Sequence, residues 1–294
     1  MGGSLIFDDS QDVHLQAEYI IIADGGSLII GFENKPFSHQ ARITMYGSPR
    51  SIELPIYGSK VIALRNGTIE MHGLPVGVTW THIRETIQPN SNQLNLKEPV
   101  LWPIGSEIVI ASTGLYQDIG QNELRRIVSI SNDNTTLIVD SPFKFVHLAE
   151  RRWLSGSAFV DIQAEVGLLT RNIVFEGHND DTWNSLYSAP GCSDTFDPNE
   201  FATQTCFLGR YGPELGSDQF GAHIMIGAAI GSPKDTVIVR LSNVELFHVG
   251  QAFRLGRYPI HFHMNGDMSS SYVKECSIHE SFNRAINIHA SNYM

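Results

Sequence analysis

Regular helical spacing is almost absent from this chain, and that absence constrains its fold more than any other feature. Apolar and polar residues alternate instead with a period of two, in short runs closed by Gly or Asn. His14-Leu15-Gln16-Ala17-Glu18-Tyr19-Ile20-Ile21-Ile22 leads into the turn Asp24-Gly25-Gly26, and Leu28-Ile29-Ile30-Gly31 follows. Ile43-Thr44-Met45-Tyr46-Gly47, Ser51-Ile52-Glu53-Leu54, Lys60-Val61-Ile62-Ala63-Leu64 and Thr68-Ile69-Glu70-Met71 continue the pattern. Strands this short, ended so regularly, predict an all-β sandwich, barrel or solenoid.

A second stretch, from Trp80 to about Glu150, reads differently. Glu107 to Ser112 is one strand, and Leu124–Ile130 and Thr136–Val139 flank the turn Ser131-Asn132-Asp133-Asn134 as a hairpin. From Leu168 onward the units resemble one another. Asn172-Ile173-Val174-Phe175, Asn243-Val244-Glu245-Leu246 and Ser277-Ile278-His279-Glu280 each place a small polar residue before an alternating strand. A second strand is expected after each of the last two, at Ala252–Leu255 and Ala285–Ile288. Repetition of this kind predicts a parallel β-helix, in which each coil covers the apolar face of its neighbour. The segment 178–218 interrupts it with an aperiodic insertion rich in Asp, Gly and Pro, and loops of that length are commonly functional.

The charge balance narrows the partners. Thirty-one acids against 20 Lys and Arg give a net charge of −11, which argues against nucleic acid and against an anionic membrane surface. The longest apolar run, Tyr19–Ala23, is far short of the ~20 residues a membrane helix needs. The first residues carry no signal-peptide pattern. Strand-like sequence at both ends suggests a slice of a longer chain, and on that reading missing targeting signals say little about compartment.

Cys192 and Cys206 would close a 15-residue loop within the insertion, a bridge worth ~3 kcal/mol in the chain-entropy model; unrelated buried thiols are the alternative. Cys276 reads as a small core residue. Asn66-Gly67-Thr68 and Asn134-Thr135-Thr136 are glycosylation sequons at polar turns. With the cysteine pair, they point outside the cell.

The densest group of chemistry-bearing residues is Gly256-Arg257-Tyr258-Pro259-Ile260-His261-Phe262-His263-Met264-Asn265-Gly266-Asp267. On a strand, His261 and His263 share a face about 7 Å apart, which lets two imidazoles share a metal. Asp267, after a Gly turn, could supply a third ligand or orient a ring, and His279 and His289 in the next repeat could stack above the pair. A polar ladder of hydrogen-bonded histidines is the other reading. No nucleophile elbow, phosphate loop or dinucleotide fingerprint occurs. Asp180, Asp181, Asp194, Asp197 and Asp218 in the insertion could offer oxygen ligands to calcium, although no calcium-loop spacing organises them. No cofactor is otherwise expected.

Several long motifs are recognisable together. Leu5-Ile6-Phe7-Asp8-Asp9, Ala17-Glu18-Tyr19-Ile20, Gly25-Gly26-Ser27-Leu28-Ile29-Ile30-Gly31, Lys35-Pro36-Phe37 and Ala41-Arg42-Ile43-Thr44-Met45-Tyr46-Gly47 resemble the eight-glycine domain. Gln219-Phe220-Gly221-Ala222-His223, Val249-Gly250-Gln251-Ala252-Phe253 and the His261/His263 run resemble the β-helix that follows it in the same proteins. Gly266–Lys274 and Phe282-Asn283-Arg284-Ala285 resemble the fibrocystin and fibrocystin-L branch most, and the cell-surface hyaluronidase and migration-inducing branch more distantly.

The resemblance implies an eight-glycine domain at 1–79 lacking its first strands, a β-rich connector at 80–150, and a right-handed parallel β-helix at 151–294 that is truncated at its C-terminal end and carries the irregular insertion at 178–218. It implies a segment of a single-pass membrane protein, on the extracellular side of the plasma membrane, or secreted if the parent has no anchor. Two functions follow. One is a non-catalytic binding, adhesion or receptor module for an unknown protein or extracellular glycan. The other is a hyaluronan-cleaving glycosidase, with Asp267, His261 and His263 as catalytic candidates, and the charge of −11 opposes its approach to a polyanion.

Overall fold

A computed structural model describes residues 2–49, 51–114, 120–179, 205–209, 212–216, 219–228, 233 and 235–293, with backbone alone for 205–209 and 212–216. Along the first 74 residues run β1 (Ser4–Ile6), β2 (Val13–Ala17), β3 (Tyr19–Ile22), β4 (Gly26–Ile30), β5 (Ala41–Met45), β6 (Val61–Leu64) and β7 (Gly67–His72). Next come β8 (Trp80–His82), β9 (Gln93–Asn95), β10 (Glu107–Ile110), β11 (Glu123–Ile130), β12 (Thr136–Val139), β13 (Ala149–Ser155), β14 (Ala158–Gln163) and β15 (Glu165–Leu168). The chain closes with β16 (Ile173–Gly177), β17 (Thr205–Gly209), β18 (Gly212–Gly216), β19 (His223–Gly227), β20 (Val237–Ser242), β21 (Val244–Val249), β22 (Ile260–Asp267), β23 (Tyr272–Lys274), β24 (Ser277–Ser281) and β25 (Ile286–Asn292).

Pairing sorts these strands into two compact units: residues 1–74 with 171–294, and residues 75–170. In the first unit three parallel sheets form, ordered β1-β4-β7-β20-β23, β2-β5-β16-β21-β24 and β3-β6-β19-β22-β25. Each turn of the chain gives one strand to each sheet, so the described residues of the unit form a three-sided parallel β-helix of five coils. The expected boundary near residue 79 is therefore not a boundary between two cores. The glycine-rich N-terminal segment forms the first two coils and opens the third, and residues 171–294 complete it and add two more.

In-register stacking builds the core. On the third sheet Ile20, Ile62, Ile224, Ile260 and Ile286 form one inward ladder, and Ile22, Leu64, Ile226, Phe262 and Ile288 form the next. Leu15, Ile43, Phe175, Leu246 and Ile278 face them from the second sheet. Full burial of such a side chain stabilises by about 1.5–3 kcal/mol, which applies to the inner coils; Ile286 and Ile288 in the last coil stay exposed. Glycines sit where coils approach too closely for a side chain. At Gly67 (φ 149°) a Cβ would lie 2.2 Å from the Gly26 carbonyl oxygen, and at Gly31 (φ 70°) it would lie 2.6 Å from the His72 carbonyl oxygen.

The second unit is antiparallel. Its six-stranded sheet runs β8-β15-β10-β11-β12-β9, with the hairpin β13–β14 beside it in sequence. It spans 75–170 rather than the expected 80–150. Residues 151–168, expected to open the β-helix, alternate as solenoid strands do but pair antiparallel within this unit. Its core contains a charged group: Glu123 accepts hydrogen bonds from the Lys144 and Phe145 backbone N–H groups (3.0 Å each), His147 Nε2 (3.1 Å) and Arg125. Burial alone would raise the Glu123 pKa, but these donors together hold it below the usual value.

Candidate functional site: a histidine group on the third sheet

The third sheet's outer face is built from residues that alternate with the isoleucine ladder. In the second and third coils it carries Val61, Ala63 and Met225, covered by Leu54 and Tyr57. The covering segment was expected to hold a strand at Ser51–Leu54; instead only a single Leu54–Gly58 bridge forms, and it lies over the sheet as a loop. His223 is enclosed beneath this loop, its Nε2 donating to the Tyr57 carbonyl at 2.9 Å. Burial pushes its pKa down to about 3. Arg257 donates to the Ile56 carbonyl at 3.0 Å, and Glu53 pairs with Arg254.

Beyond the loop, in the fourth and fifth coils, the same face carries histidines. His261 and His263 project outward from β22, as their alternation predicts. Register then sets Asn287 beside His261 and His289 beside His263. The ring centroids of His261 and His263 are 5.1 Å apart, and those of His263 and His289 are 5.0 Å apart. His263 Nδ1 and His289 Nδ1 approach to 3.1 Å. His261 is buried, His263 half-buried and His289 exposed. The His261 ring is fixed by donation from Nδ1 to the Gly256 carbonyl at 3.0 Å and by the edge-on Tyr258 ring. Burial lowers the pKa of both His261 and His263, and the adjoining imidazoles add to the effect.

The other candidates lie elsewhere. Asp267 does not join the histidines: its Oδ1 accepts from the Ser269 backbone N–H at 2.9 Å, at the far end of β22. His279 does not stack above the pair either, because β24 belongs to the second sheet, where His279 Nε2 meets Glu245 at 3.0 Å. Ala252–Leu255, expected as a strand, is a loop whose Arg254 joins Glu53. Asn66 is exposed at the corner between β6 and β7, and Asn134 is half-buried in the β11–β12 turn. Cys192 and the insertion carboxylates Asp180, Asp181, Asp194, Asp197 and Asp218 lie outside the described residues, as does the Cys206 side chain, so the expected bridge does too. Cys276 packs against the core as a free thiol, its pKa raised to about 11 by burial. Among the described residues no helix is long and apolar enough to cross a membrane.

Two family models and several known proteins match this chain. Residues 1–84 match the family model for the G8 domain, and residues 219–294 match that for the CEMIP beta-helix. Fibrocystin-L of Homo sapiens is 47% identical over 294 residues, 100% of this chain and 7% of that protein. Fibrocystin of Canis lupus familiaris is 34% identical over 289 residues, 98% of this chain and again 7% of its own length. Among solved structures, the Gp54 tailspike of Acinetobacter baumannii bacteriophage AP22 aligns over 91% of this chain and 46% of its own, with a TM-score of 0.30 and 12% identity.

Proposed function

From the premise that the chain belongs to the G8-domain, fibrocystin-like family, we propose that it is a non-catalytic binding or adhesion module on the extracellular side of a large membrane protein. The observation that carries the reading is the pairing on the solenoid's outer faces. There Glu70 pairs with Arg240, Glu176 with Arg42 and Glu245 with His279. Each pair joins neighbouring coils. Cleavage of a glycosidic bond uses two carboxyl groups flanking the scissile bond, whereas these carboxylates are each engaged by a basic side chain of the adjacent coil. Paired outer faces over stacked apolar ladders instead form a rigid surface, suited to contact with little rearrangement.

The partner under this reading is a protein or an extracellular glycan. Similarity of the whole of this chain to a 7% stretch of Fibrocystin-L supports the extracellular placement, as do sequons at the turns bearing Asn66 and Asn134. The test is incubation of an ectodomain containing this segment with hyaluronan, followed by size analysis of the polymer with and without calcium. Unchanged polymer length is expected. Shortening that a His261→Ala, His263→Ala variant abolishes would replace the module with a glycosidase.

A further inference from the structure

The histidine group on the third sheet has the makings of a ligand set. Two of its members come from one strand, spaced by two residues, and the third comes from the next coil, directly in register. All three ligand nitrogens lie within 4.8 Å of one another. One pair, His263 Nδ1 and His289 Nδ1 at 3.1 Å, is near the ~3.3 Å that two nitrogens span around a tetrahedral ion with ~2.0–2.1 Å bonds. The third ring is pre-positioned. Because a carbonyl only accepts, the Nδ1 of His261 carries the proton that Gly256 receives, and Nε2 keeps its lone pair. A ligating histidine commonly has such a partner on its other nitrogen, which fixes tautomer and orientation.

The backbone supports the same reading. The β22–β25 register breaks immediately after the His263–His289 pair, and Met264 adopts a left-handed φ of 56°. Irregularities of this kind aim side chains at sites. The donor set is chemically selective: three imidazoles without a carboxylate or thiolate suit a borderline transition ion, whereas calcium requires oxygen.

We propose that His261, His263 and His289 form a surface site for a divalent transition-metal ion of the zinc type, with one coordination position left to solvent or to a donor from outside the chain.

The experiment uses the untagged full chain, stripped with a chelator and titrated with Zn2+ and with Co2+ as a spectroscopic probe. One equivalent should bind, with the visible absorption of a tetrahedral cobalt centre and a raised melting temperature. His263→Ala and His289→Ala, both at accessible positions, should each weaken binding at least tenfold while leaving the circular dichroism unchanged. His279→Ala, on another sheet, should bind like the parent. Excess Ca2+ should not compete. Sub-stoichiometric uptake, equal affinity in a His263→Ala, His289→Ala double variant, or displacement by Ca2+ would each overturn the assignment.

Discussion

His263 and His289 meet Nδ1 to Nδ1 at 3.1 Å although 26 residues separate them in sequence. They meet because 26 residues is the length of one coil at this point, so each coil delivers its outward side chain to the same place on the third sheet. The solenoid thus converts sequence distance into adjacency. Its stability should follow from the ladders that fix the register.

Ile224 lies at the middle of the isoleucine ladder and is 1% exposed. Ile224→Ala should destabilise the first unit by about 2–5 kcal/mol, the usual cost of a core cavity. Ile238→Ala, at a half-buried position on the first sheet, should cost much less. Chemical denaturation monitored by circular dichroism measures both, and equal losses would argue against an inward-facing Ile224.

The Glu123, Arg125 and His147 group predicts a strong effect in the second unit. Removing one charge from a buried set leaves the others uncompensated, at about 3–5 kcal/mol. Glu123→Gln should therefore lower the stability of residues 75–170, read by fluorescence of the buried Trp102. An unchanged midpoint would mean that the carboxylate is not charged in the folded protein.

His223 gives the first unit a pH dependence with a definite sign. Folded, its pKa is pushed from 6.5 to about 3 by burial, with Arg257, His261 and Arg254 adding to the effect. Unfolded, it titrates near 6.5. The unfolded chain therefore holds an extra proton between these values, and stability falls as pH drops from about 6.5 toward 3. His223→Gln should flatten that slope in a denaturation series. Persistence of the full slope would assign the dependence to other groups.

Much of this fold was legible in the sequence. Period-two alternation places His261 and His263 on one face, and the Asn132-Asp133-Asn134 turn forms the hairpin its composition predicts. Coil length was not legible. Between Val239 and Ser271 a coil spans 32 residues on the first sheet, against 26 between His263 and His289, because corner loops vary in length while strands stay in register. Repeat counting from Asn243 to Ser277 therefore misses the true partner of Ser277, which is Glu245. For the same reason His289 joins the site while His279 turns to a different sheet. The extent of the 75–170 insertion was hidden because Val160 or Val166 alternates with its neighbours like any strand residue, and only pairing direction separates the two units.

Extracellular placement makes a simple prediction. Secretion from a mammalian cell should attach glycans at Asn66, exposed at a solenoid corner, and at Asn134, in the β11–β12 turn. Peptide mass spectrometry before and after enzymatic deglycosylation reads occupancy. Unmodified asparagine at both positions would remove the sequons as support for extracellular placement.

The central structural claim is that the G8 segment and the later repeats are coils of one solenoid, and a designed cross-link tests it most directly. Thr68 and Ile238 are register partners on β7 and β20, both half-buried on the outer side of the first sheet. Adjacent strands lie about 4.8 Å apart, within the Cα separation a disulfide spans. A Thr68→Cys, Ile238→Cys variant should oxidise to a single intramolecular bridge, identified by peptide mass spectrometry. A Thr68→Cys, Val239→Cys control points its second thiol into the core and should not. Failure of the first pair to bridge, or equal bridging in the control, would contradict the shared solenoid.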